Sequence, residues 1–217
     1  NIKLFAVICY DSDGYFVSDG NLVLVEVRGD IFSVTAENGP VKNLTHSTAN
    51  IERYPALSVD GKSIAYWSDQ TGEYVLWVEQ AGERGSARKL TNYGSGFYYS
   101  LFWSPDSKKL AFIDQAMKIK VIEVANGNTT EVDQALRFMH GGCEGCSVSW
   151  SHDSRWFTYN RDLNNYHNAA YIYDAQNKKL IQVTDGYYSC GNAVFDTEGK
   201  YLYITSNQSF APYYSDI

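Results

Sequence analysis

Three thiols and one imidazole are the side chains in this sequence best suited to chemistry. Cys143 and Cys146 form a Cys-x-x-Cys, His140 stands three residues before it, and Cys190 follows in a later loop. Together they make a mixed sulfur and nitrogen set of the kind that Zn2+ accepts in tetrahedral geometry. The same residues suit a disulfide from Cys143 or Cys146 to Cys190 in an oxidising compartment, or simply unpaired thiols. A single Cys-x-x-Cys without a second pair leaves all three readings open. Cys9 reads as a core residue, and no cofactor motif is present.

Nucleophilic peptide hydrolysis needs a Ser, Cys or Thr within reach of a base that a third group orients. No Gly-x-Ser-x-Gly elbow occurs; Gly94, Ser95 and Gly96 come closest, with the wrong spacing, and read as a loop. His152 falls inside a turn and His46 directly follows a Leu-Thr pair, so neither is a base in waiting. No catalytic residue is assigned, and the chain by itself is expected not to hydrolyse peptides. A formal net charge of -7 lacks the basic footprint that phosphate backbones require, which argues against nucleic acid. No window approaches the roughly 18 apolar residues of a membrane-spanning helix. The start at Asn1, without Met or a hydrophobic leader, is what a processed protein or an excised fragment would show.

The elements that carry these residues repeat. YPALSVDGKSIAYWSD from Tyr54 returns as YSLFWSPDSKKLAFID from Tyr99, CSVSWSHDSRWFTYNR from Cys146 and GNAVFDTEGKYLYITS from Gly191, with a weaker copy from Gly14. The acidic anchors Asp19, Asp60, Asp106, Asp153 and Glu198 are 41, 46, 47 and 45 residues apart. A second marker closes each unit: Leu44-Thr45, Leu90-Thr91, Val132-Asp133 and Val183-Thr184. Two markers in one register define a structural repeat. Ser58, Ser104, Ser151 and Asp196 open four-residue turns that Gly61, Ser107, Ser154 and Gly199 close, with Pro105 second in one copy, a type I signature. The strands after the turns (63–67, 109–113, 156–160, 201–205) carry apolar residues on both alternating sets in most copies, as sheets covered on both faces do.

Four short strands per 45 residues predict an all-β fold, a β-propeller of four-stranded antiparallel blades. The approximate blades are 14–45, 54–91, 99–133 and 147–184, with a half-blade at 192–206. That is about four and a half blades, fewer than a closed ring.

The unit Trp-Ser-Pro-Asp-(Gly/Ser)-Lys, ending in Leu-Thr, resembles the repeat of TolB-like and tricorn-like propellers. Four stretches narrow the resemblance to the tricorn-type serine peptidases: VRGDIFSVTAENGPVKNLT from Val27 to Thr45, Trp103 to Phe112, VTDGYYSCGNAVFDTEGKYLYITSN ending at Asn207, and FAPYYSD from Phe210 to Asp216. The resemblance implies the second of two propellers that precede a peptide-binding and a peptidase domain, with about seven blades and a channel or gating role for peptides. Its implied partners are peptides or unfolded polypeptide, the remaining blades and peptidase domain, and further copies of the chain. Export to the periplasm is favoured over the cytoplasm on the habit of bacterial relatives. The competing readings are a TolB-like interaction propeller of the cell envelope and the propeller cap of a prolyl-oligopeptidase-type hydrolase.

The loops joining blades (92–98, 137–146, 185–191) and those between second and third strands (69–73, 162–168) are expected on one rim. They are rich in Tyr, Asn, Gly and His, which suit contact with peptide backbone. The expected contact residues are Tyr93, Phe97, Tyr98, Arg137, His140, Asn165, Tyr166, His167, Tyr187 and Tyr188. Asn43, Asn128 and Asn207 begin glycosylation sequons, a weak signal because Asn-Leu-Thr is also the repeat marker.

Overall fold

The computed structural model describes residues 14–16, 22–35, 41–47, 49–137 and 148–208. They form eighteen strands and no helix, and every pairing is antiparallel between strands consecutive in the chain. The first sheet comprises β1 (Gly14–Phe16), β2 (Leu22–Val27), β3 (Asp30–Thr35) and β4 (Lys42–Asn43). In the second are β5 (Glu52–Leu57), β6 (Ser63–Ser68), β7 (Val75–Gln80) and β8 (Arg88–Lys89). The third holds β9 (Tyr98–Trp103), β10 (Lys109–Asp114), β11 (Lys118–Glu123) and β12 (Thr129–Gln134). A fourth follows with β13 (Ser149–Trp150), β14 (Trp156–Asp162), β15 (Asn168–Asp174) and β16 (Lys179–Gln182), then a two-stranded sheet of β17 (Cys190–Phe195) and β18 (Leu202–Ser206). The first three sheets make one compact unit, and the last two, with residues 135–137, make another.

The turn after each first strand is built the same way three times. Ser58, Ser104 and Ser151 each donate from Oγ to Oδ1 of the aspartate two residues on, at 2.6 Å. The same aspartate oxygen accepts the backbone N–H of Lys62, Lys108 or Arg155 at 3.1 Å. Each serine Oγ accepts the N–H of Ser63, Lys109 or Trp156 at 2.9 Å. The fourth turn residue is left-handed, with φ of 71° at Gly61, 56° at Ser107 and 58° at Ser154, and for this reason a small residue stands there. The four-residue turn is therefore braced by an Asx-like ring that satisfies backbone donors which the hairpin would otherwise leave open. In the fifth copy Asp196 replaces the serine and itself accepts Tyr201 N at 2.9 Å. Glu198 meanwhile only pairs with the exposed Lys200, so the acidic anchor expected there has passed to Asp196. Asp19 lies outside the described residues.

The Leu-Thr marker has an equally local cause. The N–H of Leu44, Leu90 and Val183 donates to the carbonyl of Ile31, Leu76 and Ala170. The next residue, Thr45, Thr91 or Thr184, accepts the N–H of that same residue through Oγ1, at 2.9–3.1 Å. The hydroxyl thus completes a ladder where β4, β8 and β16 stop short. Val132-Asp133 lacks the hydroxyl, and there the ladder continues instead: β12 runs six residues and Asp133 pairs with Ile119.

Alternation along β6 sends Ile64 and Tyr66 toward Leu24 and Ile31 of the first sheet. Ala65 and Trp67 face the other way, into a cluster with Leu101, Trp103, Leu110, Phe112 and Ile122 of the third. Both faces of the middle sheet are therefore covered, as are those of β10. Indoles tie adjacent sheets together: Trp67 Nε1 donates to Tyr99 O at 2.9 Å, and Trp103 Nε1 to Ala56 O at 3.0 Å. The strand expected at 201–205 starts one residue later as β18 and departs from the expected two-sided burial, since Tyr203, and Tyr201 just before it, are 60% and 65% exposed.

Candidate peptide-contact loops

In the first unit, the β6–β7 loop and the loop that follows β8 meet at one end of the sheets, where Ser95 Oγ donates to Glu73 Oε1 at 2.8 Å. Phe97 is held at the centre of an aromatic cluster: Tyr99, Tyr74 and Tyr54 have ring centroids 5.3, 5.6 and 6.4 Å away. The Arg53 guanidinium lies over its ring at 5.5 Å. Tyr54 takes a φ of 52°, unusual for an aromatic residue, at the bulge between Arg53 and Ala56, and its N–H reaches Glu26 Oε2 at 3.2 Å.

Two residues expected on the surface are instead packed. Tyr98 opens β9, is 7% exposed, and stacks on Trp67 at 4.4 Å. Burial pushes its phenol up to about 12. Tyr93 is half-buried against Tyr98 and Phe112, its hydroxyl hydrogen-bonded to Thr129 Oγ1 and its phenol pushed up by burial. Tyr98 is a strand residue, and Tyr93, five residues earlier in the loop, packs back onto its ring at 5.6 Å.

In the second unit the expected residues share one ordered patch. Arg137 stacks over the Tyr166 ring at 3.8 Å, pairs with Asp162 at 3.2 Å and donates to the Leu163 carbonyl at 3.1 Å. Gly186 O accepts Asn165 Nδ2 at 2.9 Å and faces His167 Nδ1 at 3.0 Å. A carbonyl only accepts, so the His167 hydrogen sits on Nδ1 in this contact. Gly186 has a φ of 75°, and a Cβ there would lie 2.0 Å from Leu163 Cδ1, so this junction of two loops requires glycine. Tyr166 is 80% exposed, Tyr187 75% and Tyr188 42%, the last two rings 5.7 Å apart. The result is three accessible phenol rings on loops that are bonded to each other.

Cys190 is a buried free thiol that donates to Asn168 O at 3.1 Å and lies 3.2 Å from Thr184 Oγ1. Its partners in the zinc and disulfide readings, His140, Cys143 and Cys146, lie outside the described residues, as does Cys9. Among the described residues no group of three or more His, Cys, Asp or Glu could hold a metal. His152 is exposed in its turn. His46 donates its N–H to Asn43 Oδ1 at 2.8 Å, while Asn43 Nδ2 bonds Asp30, so the Asn43 amide is engaged at both ends.

Sequence reasoning passed over a cavity of about 500 Å³ between the linker that follows β4 and the second sheet. Glu52, Tyr66, Trp77, Glu79 and His46 line it. Burial raises both glutamates and Tyr66 above their ordinary ranges. The one signal was a charged residue, Glu52, at the head of a strand whose neighbours face the core.

Residues 13–217 match the model of a family described as the tricorn protease second beta propeller domain. The chain is 30% identical to the tricorn protease of Thermoplasma volcanium over 208 residues, covering 92% of this chain and 19% of that protein. It is 25% identical to tricorn protease homolog 1 of Streptomyces coelicolor, covering 88% of this chain and 18% of the relative. Among solved structures, the crystal structure of the tricorn protease superposes with a TM-score of 0.73 at 18% identity, over 97% of this chain and 21% of that one. A putative TolB from Agrobacterium tumefaciens gives 0.63 at 18% identity, over 89% and 68%. The four-stranded sheets are therefore propeller blades, and the chain spans about a fifth of the curated relatives' length.

Proposed function

Because this chain belongs to the tricorn protease second β-propeller family, we propose that it is a non-catalytic peptide-handling part of a larger serine peptidase. It guides, gates or docks unfolded peptide for hydrolysis elsewhere in the parent protein. The observation that carries this reading is the patch formed by Tyr166, Tyr187 and Tyr188, whose loops are locked through Gly186 O. Rigid exposed phenols bind extended peptide at low entropic cost, because their few torsions are already restricted and each ring offers both an apolar face and a hydroxyl. Arg137 serves this patch by holding Tyr166 in place, its charge already met by Asp162.

The test is binding of fluorescein-labelled unfolded peptides, followed by anisotropy. The unsubstituted chain should bind and leave the peptides intact, and the Tyr166→Ala, Tyr187→Ala double variant should bind at least about tenfold more weakly, about 1.4 kcal/mol. Equal affinity of the two proteins would overturn the patch as the contact surface. Robust hydrolysis by the pure chain would overturn the non-catalytic assignment. A second reading, an interaction propeller without an attached enzyme, is supported by the likeness to TolB. It predicts a folded protein as binding partner and no preference for unfolded peptide.

A further inference from the structure

The linker between the first two blades, described at residues 44–47 and 49–51, is tied down by a group of oxygens with fewer hydrogens than close contacts. Ser47 Oγ lies 2.7 Å from Glu52 Oε2, 3.0 Å from Asp30 Oδ1 and 3.2 Å from the Asn50 carbonyl. A serine hydroxyl donates a single hydrogen, and carbonyls and ionised carboxylates only accept. With both carboxyls ionised, at least one close contact would set lone pair against lone pair, at a Glu52 that is only 3% exposed. Asp30 is the end supplied with other donors: Ser47 N at 3.1 Å and Thr45 Oγ1 at 3.4 Å on Oδ1, and Asn43 Nδ2 at 3.1 Å on Oδ2. Glu52 Oε1 receives Ser68 Oγ at 3.2 Å, and Thr45, whose single hydrogen Asp30 and Glu52 compete for, is the other hydroxyl in reach of the Glu52 carboxyl.

We infer that Glu52 is a protonated carboxylic acid that donates to Ser47 Oγ, which in turn donates to Asp30, so that a single proton fastens the linker and its loss frees it.

The titratable and charged groups around Glu52 are Asp30 on β3, His46 in the linker, Tyr66 on β6, Glu79 on β7 and Arg84 in the β7–β8 turn. Among the described residues no ion pair reaches Glu52. Burial raises its carboxyl above 4.5, Asp30 adds to the rise, and the bonds from Ser47, Thr45 and Ser68 oppose it. A carboxyl raised in the folded state contributes stability that is complete below its unfolded pKa and lost as pH climbs through the folded one.

The experiment is urea unfolding of the 217-residue chain between about pH 4.5 and about pH 9. The unsubstituted midpoint should fall with rising pH. Glu52→Gln carries a permanent N–H donor for Ser47 and keeps an acceptor for Ser68, so its slope over this range should be less than about half as steep. Glu52→Ala should be weakened throughout. A Glu52→Gln slope equal to that of the unsubstituted chain would overturn the inference, since His46, Glu79 and Arg84 are unchanged in that variant. A 13C titration of the Glu52 carboxyl in the unsubstituted chain decides independently of how the variants fold. A midpoint above 4.5 supports the inference, and one at or below it defeats it.

Discussion

Single atoms explain the repeat residues more fully than hydrophobicity does. Ser104 is fully buried and its Oγ donates to Asp106 while accepting Lys109 N, so Ser104→Ala leaves a carboxylate and an amide each short of a bond. A loss of about 1–3 kcal/mol is expected, measurable by urea unfolding. Bonds from the serines set the charge of the turns: Ser58 holds Asp60, and Ser151 holds Asp153, below the usual carboxylate range. For Asp106, burial pulls upward but Ser104 and the Lys108 amide outweigh it. Asp174 is lowered further, first by Arg155 at 2.8 Å and then by the N–H groups of Gln176 and Asn177. Its pKa is depressed on folding, so its stabilisation is present above the unfolded value of 3.8 and is lost as pH falls from there. Asp174→Asn should be less stable near neutral pH and lose less on acidification, which unfolding curves at about pH 7 and about pH 3 will show. At Gly186 the added Cβ meets Leu163, so Gly186→Ala should cost more than about 1 kcal/mol. The same variant should weaken peptide binding by separating the two loops that share the Gly186 carbonyl.

Blades close by different means at their two ends. The short fourth strands β4, β8 and β16 are completed by a threonine hydroxyl, and Thr91 is the most buried of these described in a core-facing position. Thr91→Val keeps the shape and removes the acceptor for Leu76 N. The expected cost is about 1–3 kcal/mol, with faster amide hydrogen exchange at Leu76 as the local readout. Between blades, Trp67 both fills the interface with Tyr98 and Phe112 and donates to the neighbouring blade through Nε1. Truncation to Ala should cost about 3–5 kcal/mol. These features were legible in the sequence, since turn, ladder and marker are each made by residues within one repeat and recur at its period. Asp196 was legible as the serine's equivalent, but the departure of Glu198 from the turn to Lys200 was not, because the Asp196 carboxylate takes the Tyr201 amide without it.

At the scale of the chain, Tyr203 of β18 and Tyr201 just before it are exposed, with Val194 exposed opposite Tyr203 on the partner strand. An apolar surface of this kind promotes association. The isolated chain is expected to self-associate with concentration in sedimentation runs, and the Tyr201→Lys, Tyr203→Lys variant to remain monomeric at the same loading. The amino-acid sequence on its own determined the repeat, the hairpin turns and the blade count, because these rest on hydrogen bonds and alternation within one repeat; the family came from the resemblance of four stretches. Only the tertiary structure decided which aromatic side chains are buried. Tyr98 and Tyr166 were both expected on the loop rim, yet one opens β9 and stacks on Trp67 while the other stays open in the β14–β15 loop. Exposure is settled by what a blade 30 or so residues away places against a ring, and so is the burial of Glu52 beside Asp30. Neither has a local signature, because the contacts that produce it form only when sheets stack.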